Sequence, residues 1–166
     1  MVAMTNMPMG YRIEVVQAAS AQRGYLAEVC VGERTILCVG GQTREVTMMV
    51  SSNGRDFVGR KAGESGLRDA VSCDGTFWVV GEYGYLARSD DDGASWTAIE
   101  TGTKGCLFSA ARIPGLVEAF LIAGDHGYVA RVNRDATVQP LATELNVRIF
   151  AVVPKAETTW LLADPG

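Results

Sequence analysis

Apolar residues in this chain fall into short runs separated by turn-forming residues. Residues 29–31, 35–39, 47–50, 77–80, 107–111, 119–123, 148–153 and 159–162 are such runs, rich in β-branched or aromatic side chains and bounded by Gly, Asp, Asn or Pro. Runs of this length and composition predict β-strands. No stretch of 12 residues keeps a helical period with caps at its ends. The pattern therefore predicts an all-β protein.

The runs also repeat. V-V-G-E-Y-G-Y-L-A-R at 79–88 lies over I-A-G-D-H-G-Y-V-A-R at 122–131, so that Gly81 aligns with Gly124, 43 residues on. Residues 26–41 lie over 67–82 at an offset of 41, and W-L-L-A-D-P-G at 160–166 echoes L-I-A-G-D-H-G at 121–127 at an offset of 39. A period of about 41 residues with four short strands per period is the length of a β-propeller blade. The repeats span about 25–66, 67–106, 107–145 and an incomplete 146–166. Strands are expected at 25–31, 34–40, 45–50 and 55–60 in the first, and at 67–73, 76–81, 84–89 and 95–99 in the second. The third has 107–112, 117–124, 127–132 and 136–141, and the fourth 147–153 and 158–163. A further strand at 11–18 fits the outer strand of the last blade, closing the ring. This leaves one strand missing from four full blades, so the ring is irregular, part of a longer propeller, or completed by oligomerisation.

Composition narrows the function classes. Of the 166 residues 48% are apolar and 20% charged, which is globular rather than disordered, and the 19 glycines suit many tight turns. A net charge of −4 disfavours nucleic acid as a partner. No apolar run approaches the ~18 residues that a membrane-spanning helix needs. The first ten residues, M-V-A-M-T-N-M-P-M-G, have neither the basic nor the apolar region of a signal peptide, and the expected location is cytoplasmic. Cys30, Cys38, Cys73 and Cys106 have no zinc-ligand spacing and read as buried free thiols. No cofactor and no metal are expected.

One turn is explicit. Ser89, Asp91, Gly93 and Trp96 meet the pattern Ser-x-Asp-x-Gly-x-x-Trp. The Ser and Asp side chains can bond nearby backbone groups, Gly93 permits positive φ, and Trp96 re-enters a strand with a large apolar face. The repeat places this turn in the hairpin between third and fourth strands. Residues 51–57, S-S-N-G-R-D-F, are a degraded copy one residue shorter, and 132–139 have lost the Ser, Gly and Trp. The pattern resembles the Asp-box, or bacterial neuraminidase repeat, of the sialidase-like propellers. The longer string G-E-Y-G-Y-L-A-R-S-D-D-D-G-A-S-W at 81–96 is similar to the repeats of photosystem II assembly/stability-factor propellers. The resemblance implies a peripheral, structural role for the turn, and a fold shared by enzymes, lectins and scaffolds alike.

Catalytic patterns are sparse. Sialidases carry an arginine triad, a tyrosine nucleophile and a Phe/Tyr-Arg-Ile-Pro motif. Arg112-Ile113-Pro114 here lacks the aromatic and falls in a hairpin on the side of the 89–96 turn, so turn chemistry explains it. A lone histidine, His126, precludes a His-rich metal site, and no Gly-x-Ser-x-Gly elbow accompanies it. Asp90, Asp91 and Asp92 lack the further ligands of a calcium loop.

The opposite face gathers the turns between second and third strands and the connections between repeats. Its candidate binding residues are Glu82, Tyr83, Asp125, His126, Asp164 and Lys104, with Gln42, Thr43, Thr103 and Pro165 beside them. Tyr83 and His126 occupy equivalent turns and each follows an acid, a pairing that can grip a peptide or stack on a sugar. Ordinary exposed turns are the alternative. Arg88 and Arg131 repeat one strand further on and suit either ion pairing or contact with an anion or a partner. The function expected is a non-enzymatic module that binds a protein partner, as the assembly-factor resemblance implies, and a further reading is a short propeller piece that self-associates to complete its ring. The alternative is a portion of a sialidase-like glycosidase or a carbohydrate-binding propeller.

Overall fold

The computed structural model describes residues 2–7, 10–15, 25–42, 45–155 and 157–165. Among them there are sixteen strands, all in antiparallel sheets, and no α-helix. Strands β1 (Val2–Met7) and β2 (Gly10–Val15) form a hairpin. Next comes a four-stranded meander of β3 (Leu26–Val31), β4 (Ile36–Gln42), β5 (Glu45–Ser51) and β6 (Val58–Arg60). A second meander contains β7 (Leu67–Cys73), β8 (Thr76–Gly81), β9 (Leu86–Ser89) and β10 (Thr97–Ile99). The third comprises β11 (Leu107–Arg112), β12 (Ala119–Gly124), β13 (Val129–Asn133) and β14 (Val138–Leu141). Strands β15 (Ile149–Lys155) and β16 (Thr158–Ala163) make a final pair.

One strand of the N-terminal hairpin was expected and the other was not. The strand expected at 11–18 is β2, of which residues 16–18 lie outside the described residues, and it pairs with β1 in a two-stranded sheet. The sequence reading missed β1, whose V-A-M-T-N-M carries a single β-branched apolar residue and no aromatic.

Successive sheets pack face to face through their first strands, β7 against β3, β11 against β7 and β15 against β11. The second and third sheets are therefore covered on both sides, which explains why their second strands read as unbroken apolar runs. On β8, Phe77 and Val79 join Leu37, Val39 and Met48 of the first sheet, while Trp78 and Val80 join Phe120 and Ile122 of the third. The Trp78 and Phe120 rings meet at 5.1 Å between centroids, inclined by 55°. On the far side of β12, Leu121 and Ala123 cluster with Ile149 and Val152. The last sheet has no described neighbour beyond it, and Val153, Trp160 and Leu162 are exposed.

Each first strand carries a β-bulge at the same place, between Leu26 and Glu28, Leu67 and Asp69, Leu107 and Ser109, and Ile149 and Ala151. A bulge redirects the side chains next to it. In two sheets the residue after it reaches the next sheet's backbone. Asp69 accepts the Ala110 N–H at 2.7 Å, and Ser109 accepts that of Val152 at 3.2 Å.

The 89–96 turn joins β9 to β10 as the repeat required. Ser89 Oγ accepts the N–H of buried Gly93 at 2.9 Å and donates to Asp91 at 2.8 Å. Asp91 takes the N–H and hydroxyl of Ser95 at 2.8 and 2.6 Å. These bonds hold the Asp91 carboxyl down at about 2. Trp96 packs onto the cluster shared with the first sheet, and Arg34 there pairs with Asp92 at 2.7 Å. The shorter copy keeps the central bond, with Gly54 N–H donating to Ser51 Oγ at 2.9 Å. Ser89→Ala strands the buried Gly93 N–H and is expected to cost about 2 kcal/mol, read as a lower urea midpoint at unchanged m-value. A loss within 0.5 kcal/mol or so would mean that the turn closes without its serine.

Candidate functional site

The two hairpins that carry Tyr83 and His126 have one geometry. Tyr83 has φ 58° and ψ 34°, His126 has φ 58° and ψ 31°, and Gly84 and Gly127 follow at φ 68° and 69°. Two successive left-handed residues make the two-residue turn whose twist matches antiparallel strands, and the Tyr85 and Tyr128 N–H groups close it onto the Glu82 and Asp125 carbonyls at 3.1 Å each. Left-handed backbone disfavours a residue with a Cβ by ~1 kcal/mol. The surroundings enforce it here. Thr101 Oγ1 donates to the Gly84 carbonyl at 2.9 Å, and Thr143 Oγ1 to that of Gly127 at 2.7 Å. A Cβ on Gly84 would lie 2.0 Å from the Thr103 carbonyl oxygen, so the glycines are obligatory.

The turns and connections on this side enclose an open cavity of about 730 Å³, lined by Gln42, Glu82, Tyr83, Thr103, Lys104, Gly105, Cys106, Asp125 and His126. A second hollow of about 390 Å³ shares Asp125 and His126 and continues past Arg148 to Asp164 and Pro165. The structure thus brings six expected residues, Glu82, Tyr83, Lys104, Asp125, His126 and Asp164, onto one face with Gln42, Thr103 and Pro165. Thr43 lies outside the described residues. Tyr83 is 70% exposed and His126 is exposed. The connection passes close beneath His126, for a Cβ on Gly105 would lie 2.9 Å from Asp125 Cβ and 3.7 Å from His126 Cδ2.

Both acids of the cavity are engaged by partners that the sequence reading did not name. Arg68, the bulge residue of β7, pairs with Glu82 at 2.5 Å, bonds the Gly41 carbonyl at 3.3 Å and lies over the Tyr25 ring at 5.7 Å. Arg148 pairs with Asp125 at 3.0 Å and lies over the Phe108 and Phe150 rings at 5.5 and 5.8 Å. The other Asp125 oxygen accepts the Cys106 N–H at 2.9 Å. Cys106 is half-buried rather than buried as expected, and loss of hydration raises its thiol pKa, which works against a reactive thiolate. The sequence signal for Arg68 and Phe108 was their shared position in the repeat, visible only once the bulge is known.

Arg88 and Arg131, expected among the binding residues, do not share this face. They line a separate cavity of about 550 Å³ with Glu118, Asn133, Arg134 and Asp135, where the turns after β11 and β13 meet. There Arg88 bonds Asp90 at 2.7 Å and lies over Trp78 at 5.4 Å, and Arg131 bonds Asn133 at 3.0 Å. Both residues sit on third strands of adjacent sheets, and the strand direction carries them to the opposite side from the Tyr83 and His126 turns.

Among the described residues no three His, Cys, Asp or Glu side chains converge as a metal site, and no helix is long and apolar enough to cross a membrane. The fold and this face define an antiparallel all-β repeat protein with a polar cavity built from equivalent turns. Searched against protein-family models and curated proteins, the chain matches none.

Proposed function

We propose that the protein is a non-enzymatic β-propeller binding module whose Tyr83 and His126 face engages a protein partner. The observation that carries this reading is the pair of equivalent turns holding an exposed tyrosine and an exposed histidine in left-handed backbone over one cavity. Strain kept at two matching exposed positions, where asparagine or glycine would relieve it, is a cost to stability that binding can offset. The propeller reading is supported by three four-stranded meanders stacked through their first strands, and by the two remaining hairpins. Joined in the order β15-β16-β1-β2, those two hairpins would supply a fourth set of four strands. Ring closure would cover the exposed Val153, Trp160 and Leu162 with the exposed Val29 and Val31 of β3. The Ser89–Trp96 turn then fills the place of an Asp-box at the rim.

A glycosidase reading fares less well. It needs one carboxyl free to give a proton and another to act as base or nucleophile, whereas Arg68, Arg148 and the Cys106 N–H occupy Glu82 and Asp125. The Tyr83→Asn/His126→Asn double variant is expected to gain about 1–2 kcal/mol of stability and to lose the protein complexes that the wild-type chain forms in native extracts. Unchanged complexes would overturn the reading. Hydrolysis of a fluorogenic sialoside by the wild type, abolished in the double variant, would transfer it to the carbohydrate-active alternative.

A further inference from the structure

We infer that the face takes an acidic segment of its partner, with a carboxylate seated on Lys104 between the Tyr83 and His126 rings. This rests on the binding reading and names the chemistry of its ligand. Glu82 is matched by Arg68 at 2.5 Å, and Asp125 by Arg148 at 3.0 Å and the Cys106 N–H at 2.9 Å. Lys104 is exposed, lines the same cavity and has no hydrogen bond or ion pair among the described residues. The uncommitted charge of the floor and walls is therefore positive.

The surroundings sharpen the preference. The protein as a whole carries −4, so an acidic segment is repelled by the rest of the surface and attracted here, which fixes where it docks. An ammonium among an exposed phenol and an exposed imidazole can hold a carboxylate through a charge-assisted bond, with neighbouring hydrogen-bond donors. The cavity is open and about 730 Å³, with Gln42 and Thr103 also lining it, and the second hollow prolongs it past Arg148. That shape accepts an extended chain rather than enclosing a small molecule. Asp164 at the far end adds a negative group, so a carboxylate is favoured at the Lys104 end of the face.

The single histidine of the chain makes the test direct, because its imidazole resonances in NMR report on this face alone. The probes are blocked hexaglutamate, hexaglutamine and hexalysine peptides, added to the intact chain at low salt. Hexaglutamate is expected to shift the His126 signals saturably, and hexaglutamine and hexalysine to leave them in place. In Lys104→Gln, with its thermal midpoint unchanged, the affinity for hexaglutamate is expected to fall about tenfold. Equal shifts from hexaglutamine or hexalysine, or an unchanged affinity in Lys104→Gln, would sink the acidic preference while leaving a binding face. No shift from any of the three peptides would also overturn the inference, and the binding reading then stands or falls on the complexes lost by the Tyr83→Asn/His126→Asn variant.

Discussion

Gly124→Ala is expected to cost the protein about 3 kcal/mol, at the upper end for a small overpacked side chain. The reason is contact, not conformation, because Gly124 has φ −170°, extended backbone that any residue adopts. A Cβ there would lie 2.1 Å from the Cys106 carbonyl oxygen and 3.0 Å from Leu107 Cα. That carbonyl accepts the Asp125 N–H at 2.9 Å, so relief requires the bond to break or β11 and β12 to part. Neither is cheap in a sheet buried on both faces. The same approach recurs at Gly81, where the Gly66 carbonyl lies 2.1 Å from the added carbon, and at Gly40, where that of Tyr25 lies at 2.0 Å. In the last sheet Ala163 holds the matching register opposite Ile149, and the Asp164 N–H still reaches the Arg148 carbonyl at 3.0 Å. Strand β16 is exposed along most of its length and can shift to make room. Urea unfolding of the Gly124→Ala chain measures the loss, and a value below about 1 kcal/mol would show that the buried sheets yield as easily as the last one. The substitution also displaces Asp125, so the His126 signals should move with it.

A pH titration should expose Asp69. Burial, offset in part by the N–H bonds from Ala110 and Ala70, raises its carboxyl pKa to about 6 from 3.8. A folded-state pKa above the unfolded one means that the folded state holds the proton more tightly. Stability from this group therefore falls as pH rises from about 4 to 6 and is level above that. The whole effect is on the order of 3 kcal/mol. Subtracting the stability-against-pH curve of Asp69→Asn from that of the wild type isolates it, since the variant retains one acceptor and no titration. A flat difference between pH 4 and 7 would contradict the account. Asp91 behaves oppositely. Its carboxyl is held at about 2, so its contribution is present above pH 4 and fades only as pH falls toward 2.

Much of the local structure was legible from the pattern of apolar and turn residues. Strands β7, β8, β11 and β16 have the expected bounds, because each is a β-rich run ended by Asp-Gly, Gly-Glu, Pro-Gly or their like. The 89–96 hairpin was legible because its Ser, Asp and Gly bond to one another within a few residues. The pairing of Tyr83 with His126 came from the repeat, since equal spacing along a regular stack places equal turns on one side.

Other features depended on neighbours far away in the chain. Nothing local tells that Arg148 belongs to Asp125, 23 residues earlier, or that Asp69 reaches Ala110, 41 residues on. Those contacts arise only when one sheet packs on the next, and the bulges decide which side chains point across. The same stacking leaves Lys104 as the cation without a counterpart among the described residues of the cavity. The amino-acid sequence determined the strands, their turns and their period through interactions that span a few residues. The tertiary structure alone decided which charges are cancelled and which remains, because charge pairing depends on distance through space and not on separation along the chain.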